Sequence, residues 1–146
     1  MIGIRNNQRT LPIRSAKIRR IAEMVLEHLR LGKEIRVNIL FLNDVRMAEL
    51  HKRYLGKEEP TDVLAFSMRE GKTLKGDLRL LGDIAISTET ALRQAKRFHS
   101  NVDRELTLYV IHGILHLLGY EDRKKRARLK MRQKERELLK QCQNGV

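Results

Sequence analysis

Cysteine occurs once in the 146 residues, at Cys142. A disulfide framework within the chain is therefore excluded, and a reducing compartment such as the cytoplasm is expected. No apolar run approaches the ~18 residues of a membrane span, and the N-terminus has no apolar core of a secretory signal, so no membrane partner is expected. Tryptophan is missing, with only three Phe and three Tyr, which leaves few platforms on which unpaired bases could stack. Acid is also scarce: 18 Asp and Glu face 31 Lys and Arg, for a formal charge of +13 and a pI of about 10.4. A surface this basic attracts polyanions, and nucleic acid is the leading partner class. The first thirty residues are Arg-rich and acid-poor, as organellar transit peptides are, which keeps a mitochondrial or plastid location as the alternative. Against it, Ile18, Ile21, Ala22, Val25, Leu26 and Leu29 recur at helical spacing, as a stripe that packs on a core does.

What remains reads as one domain over residues 1–146, with no repeat, low-complexity tract or linker. Residues 15–31 carry the helical stripe, opened by Ser15 and closed by Gly32. EIRVNILFL alternates Ile35, Val37, Ile39 and Phe41 with polar residues and predicts a strand with one buried face. NDVRMAELHKRY predicts a helix capped by Asn43 and broken by GKEEP. TDVLAFSM and LGDIAIS predict strands on either side of the polar REGKTLKGDLR, a loop or hairpin, and Ile2 to Arg5 is a weak edge strand. STETALRQAKRF follows as a helix capped by Ser87 or Thr88, then NVDRELTLYVIHGILHLL as the central helix and EDRKKRARLKMRQKERELLKQ as the last. The predicted class is α+β, a mixed sheet of about four strands packed with about five helices, in a monomer.

The central helix is nearly all apolar from Leu106 to Leu118, yet holds two histidines. His112 and His116 are four residues apart and leave one helix face with Cβ atoms about 5–6 Å apart. Two unpaired imidazoles buried there would cost a few kcal/mol, so something must satisfy them. A shared metal ion is one candidate; the alternative is that each ring is satisfied separately. Gly119, just past the helix, can turn the chain sharply through a left-handed conformation. Asp122, six positions beyond His116, could then supply a third ligand. It could equally cap the last helix, whose EDRKK start places acids in the positive first turn. The histidines, glycine and third-ligand spacing follow the zincin pattern H-E-x-x-H-x-x-G-x-x-H, but position 113 is Gly where those proteases need their Glu base.

HGILHLLGYED resembles the signature H-G-x-L-H-L-x-G-Y-D-H of the YbeY-type metal-dependent endoribonucleases. His112, Gly113, Leu115, His116, Leu117, Gly119 and Tyr120 match it. Glu121 stands in place of the signature's Asp, and Asp122 in place of its third His. YLGKEEPTDVLAFSM is similar to Y-R-G-K-x-x-P-T-D-V-L-S-F-P and LLGDIAIS to L-G-D-I-x-I, so the resemblance covers most of residues 35 to 122. It implies a four-stranded sheet with surrounding helices and a metal, usually zinc, at the bottom of a basic cleft. It also implies a role in ribosomal RNA maturation, notably at the 3′ end of the small-subunit 16S RNA, and in ribosome quality control, with ribosomal RNA and the small ribosomal subunit as partners.

The implied chemistry follows from elementary principles. One divalent ion, zinc by first choice, held by His112, His116 and Asp122 would keep a position for water, lower its pKa toward ~7 and polarise a phosphoryl oxygen. An aspartate makes the site one unit less positive than three histidines would, which weakens water activation and widens tolerance toward manganese. The arginine that the family carries after the tyrosine is replaced by Leu55. Arg53 or Lys57 could reach the same phosphate or be ordinary solvated charges. Thr61 and Asp83 also match family positions and are expected near the cleft, with turn chemistry as the alternative. From Arg123 to Lys140 the last helix holds ten Lys or Arg against two Glu, with Ala127, Met131 and Leu138 as a thin packing stripe. The run Arg123, Lys124, Lys125, Arg126 reads as a phosphate-facing surface that gives affinity without base information. His28, His51 and His99 read as structural or surface residues. Two functions result: a single-strand endoribonuclease with His112 and His116 in its catalytic centre, or a metal-containing RNA-binding ribosome-assembly factor with little turnover.

Overall fold

A computed structural model of the protein describes residues 1–56, 62–67, 80–121 and 123–145. Among them the element order is β1 (Ile2–Asn6), α1 (Ser15–His28), β2 (Arg36–Leu42), α2 (Asp44–Leu55), β3 (Val63–Ser67), β4 (Leu80–Ser87), α3 (Thr88–Arg97), α4 (Val102–Leu117) and α5 (Lys125–Gly145). The strands form one mixed sheet in the order β1-β2-β4-β3. β1, β2 and β4 run parallel, and β3 pairs antiparallel on the outer side of β4. This is the α+β class that the pattern predicts, and the weakly signalled first strand is a true edge strand.

The two-residue period of the strands decides what each face meets. Val37, Ile39 and Phe41 of β2 align with Ile2 and Ile4 of β1 and with Ile84 and Ile86 of β4, forming one apolar face. Against it pack Ile18, Ile21, Val25 and Leu26 of α1 and Val110, Ile111, Ile114 and Leu115 of α4, all buried. Each large aliphatic side chain so buried contributes roughly 1.5–3 kcal/mol. α5 closes this layer from outside through Met131, Leu138, Leu139 and Cys142. The arginine-rich first helix is therefore part of the core. On the opposite face, Leu42, Leu64 and Ala85 form a smaller cluster with Met47 of α2.

Most helix ends follow the sequence signals. Asn43 accepts from Arg46 N at 2.9 Å, and the cap of α3 is Ser87, which accepts from Thr90 N at 3.2 Å. α1 differs at both ends. Its N-cap is Arg14, with no side-chain hydrogen bond, because Ser15 already has helical geometry. Its end comes before Gly32: Arg30 takes φ 59°, while Arg30 N donates to Glu27 O and Leu31 N to Leu26 O, both at 2.9 Å. Those paired bonds close the helix on a left-handed arginine, a conformation that sequence rules assign to glycine. The segment predicted as a polar loop or hairpin lies mostly outside the described residues.

Candidate active site

α4 brings the two histidines together. Ile111, Ile114 and Leu115 are buried toward the sheet, which turns His112 and His116 to the half-buried side of the helix. Gly113 allows the close approach: a Cβ there would stand 2.7 Å from Ile84 Cγ2. The glycine thus fits α4 against β4, and no glutamate base of the zincin kind could occupy that position.

The imidazole rings meet edge to face, with centroids 4.5 Å apart and planes at 72°. Nε2 of His116 lies 2.9 Å from Nε2 of His112. Two nitrogens each about 2.0–2.1 Å from one tetrahedral ion would be about 3.3–3.4 Å apart, so this pair fits joint ligation after a shift of a few tenths of an ångström. The other ring nitrogen of His112, Nδ1, is hydrogen-bonded to Glu135 Oε1 of α5. A carboxylate only accepts, so the donor in this bond is His112 Nδ1–H, and in the neutral tautomer that makes this bond Nε2 carries the lone pair, on the side of His116.

Past α4, Gly119 takes φ 95°, while Gly119 N donates to His116 O and Tyr120 N to Leu115 O, both at 3.0 Å. This is the sharp reversal predicted for that glycine. It sends the chain from the histidines toward α5. Among the described residues, no three His, Cys, Asp or Glu side chains are grouped as a metal site. Asp122, the third donor suggested by the sequence, lies outside the described residues, as do Lys57 and Thr61.

The other candidates are dispersed. Arg53 is exposed in the last turn of α2, and Leu55 beside it is 55% exposed. Asp83 sits on the sheet face turned away from α4, since its neighbour Ile84 is the residue that meets Gly113. There it accepts a 2.9 Å hydrogen bond from Asn38 Nδ2. Arg123 and Lys124, just before α5, and Lys125 and Arg126, its first residues, are all exposed. His28 meets Glu137 at 3.1 Å, His51 is buried, and His99 ends α3 on the surface with φ 53°.

Glu135 is the site residue that sequence reasoning missed. A signal existed: in the stripe of Ala127, Met131 and Leu138, position 135 lies four residues past Met131 and three before Leu138. An acid at that spacing within so basic a helix asks for an inward partner.

The protein-family model described as Endoribonuclease YbeY matches residues 3–143. The chain belongs to the YbeY endoribonuclease family. Relatives carrying the name Endoribonuclease YbeY include one from Pelotomaculum thermopropionicum, 40% identical over 122 residues, covering 82% of this chain and 80% of that protein. Another, from Syntrophus aciditrophicus, is 39% identical over 140 residues, covering 94% and 87%. A Thermotoga maritima protein solved in solution shares the architecture with a TM-score of 0.65 and 26% identity, over 97% of this chain and 89% of that one. The YbeY match reaches beyond the motifs between residues 35 and 122, so α1 and the basic α5 with its Glu135 lie within the family's extent.

Proposed function

We propose that this protein is a metal-dependent single-strand endoribonuclease of ribosomal RNA, acting in 3′-end maturation of the small-subunit RNA and in ribosome quality control. Endonucleolytic cleavage of RNA follows from membership of the family. The metal, the ribosomal target and a monomer working in the cytoplasm beside the small subunit extend that reading. The observation that carries the extension is the convergence of His112 Nε2 and His116 Nε2 at 2.9 Å. Phosphodiester hydrolysis needs a polarised phosphoryl oxygen and an activated water, and a divalent ion, zinc by first choice, held by His112, His116 and Asp122 would supply both.

The chain's own residues do the rest. Ligation through Nε2 needs that nitrogen unprotonated on both rings, and the Glu135 acceptor on His112 Nδ1 favours that tautomer for His112. The exposed basic residues of α5 hold the phosphate backbone and set its register without reading bases. Selection of the bond to be cut then falls to the ribosome or a protein partner. One observation favours the second reading, an RNA-binding assembly factor with little turnover: the arginine position after Tyr54 is Leu55, which has no group to offer a phosphate.

Cleavage of a short single-stranded RNA, with and without chelator, tests the proposal. The wild-type protein should cut, chelator should stop it, and purified His116→Ala should be inactive while still binding the RNA. RNA binding with no cleavage by the wild type under any divalent ion would establish the second reading.

A further inference from the structure

α5 and the two residues before it carry ten Lys or Arg and two Glu between residues 123 and 140, and both acids contact an imidazole. Glu137 does so at the surface, with His28. Glu135 does so from inside the apolar seam of the helix, where Met131, Leu138 and Cys142 are 1%, 1% and 3% exposed. The steps from 131 to 135, 138 and 142 are four, three and four residues, the spacing of one helix face. An apolar side chain is what packing alone would place at 135. The glutamate there is 14% exposed, and its Oε1 is bonded to His112 Nδ1. A carboxylate withdrawn from water is costly unless a partner meets it.

The consequence for His112 is geometric. The two ring nitrogens point in nearly opposite directions, so an acceptor on Nδ1 fixes the proton there and aims the lone pair of Nε2 away from α5, at His116. For the same reason Glu135 faces the wrong side of the ring to ligate an ion shared by the two Nε2 atoms. We infer that Glu135 is a positioning residue for the metal centre: it sets the tautomer and orientation of His112 from the seam of α5, so the helix that carries the basic surface also holds the metal ligand. This rests on the proposed reading that His112 and His116 bind a cation.

Removing a carboxylate that supports a ligating histidine typically weakens metal binding 10–100-fold. The test is titration of the metal-free full-length protein with Zn2+ against a chromophoric chelator, for wild type, Glu135→Met, Glu135→Gln and His116→Ala. Long-range 1H–15N NMR of the metal-free proteins reads the His112 tautomer alongside. Methionine fits the apolar seam, so Glu135→Met should fold, bind Zn2+ about 10–100-fold more weakly, and show His112 with a mixed tautomer. Glutamine keeps a neutral acceptor and should fall between the two. A folded Met or Gln variant with wild-type Zn2+ affinity and the wild-type His112 tautomer overturns the inference. Should the Met variant fail to fold, the Gln variant decides alone on the same two readings. Zinc binding that survives His116→Ala undiminished, or is lacking in the wild type, overturns the metal reading and this inference with it. If His116→Ala loses zinc and the Glu135 variants do not, only this inference falls.

Discussion

Replacing Gly113 by alanine isolates the contact that seats the histidine helix against the sheet. A Cβ at 113 would stand 2.7 Å from Ile84 Cγ2 and 2.9 Å from Cδ1, against the ~3.5–4.0 Å at which carbon atoms rest. Ile84 is 0% exposed and has no solvent to retreat into. Overpacking of this kind costs about 1–3 kcal/mol, while alanine gains about 1 kcal/mol of helix propensity over glycine. The clash outweighs the propensity, leaving a net loss of about 1 kcal/mol. For a chain of this length that lowers Tm by about 2–4 °C. A double-mutant cycle sharpens the test. Ile84→Ala alone should cost about 2–5 kcal/mol, and clearly less when alanine already occupies 113, because the smaller side chain makes room for the new methyl. The expected coupling is about 1–3 kcal/mol. Thermal and urea unfolding of the four proteins give the answer. A Gly113→Ala protein that melts higher than wild type, with strictly additive effects in the cycle, would refute the close approach of α4 to β4.

Three further outcomes are expected. The log of affinity for single-stranded RNA should fall with the log of salt by about 0.7 per phosphate contact, and changing Arg123, Lys124, Lys125 and Arg126 to Gln should flatten that slope by up to about 2.8; an unchanged slope would mean that this run never meets RNA. Leu55→Arg should raise the rate of metal-dependent cleavage about 10-fold, mostly in turnover, less than the ~100- to 1,000-fold that one preorganised donor provides, because Leu55 is 55% exposed and an arginine there would not be held in one orientation; an unchanged rate in single-turnover assays would place the scissile phosphate elsewhere. Burial raises the pKa of Asp44, but hydrogen bonds from Arg93, Ser87 and Thr90 outweigh it and hold the carboxyl below its usual value. The stabilisation is therefore full above the unfolded pKa near ~3.9 and lost as pH falls through the lowered folded value, so Asp44→Asn should flatten the acid limb of a plot of stability against pH below about 4, and an unaltered limb would show that the network does not favour the charged form.

Which parts of the structure the sequence reveals depends on how local their causes are. The histidine pair is legible because both residues lie on one helix, four apart, and helix geometry alone brings them to one face. The reversal at Gly119 is legible for the same reason: its two closing bonds reach back only as far as Leu115 and His116. The end of α1 is not, since Arg30 adopts a conformation that a glycine rule assigns to Gly32, two residues later. The residues on either side, Leu29 and Leu31, pack against the core, a tertiary contact that no local rule for helix ends takes into account. Asp83 shows the converse limit. Its place in a strand is read easily, but the face it occupies depends on which side of β4 receives α4, and that follows from the whole arrangement of helices on the sheet.

Glu135 lies between these cases. Its partner is 23 residues away on another helix, so no local rule pairs them. Yet the seam of α5 marks the position as inward-facing, and an inward acid requires a cationic, hydrogen-bonding or metal partner. Combining the two facts narrows the search to the polar side chains facing α5, and His112 is among the few that an apolar helix such as α4 has to offer. Interrupted seams therefore carry information about distant sites that motif spacing cannot. Rigidity is a second consequence. The nitrogens of α4 and the exposed cations of α5 are tied together by the Gly119 reversal and the His112–Glu135 bond. If α5 seats the phosphate backbone as proposed, two packed helices would register it against the histidines, and packed helices fix geometry better than loops do.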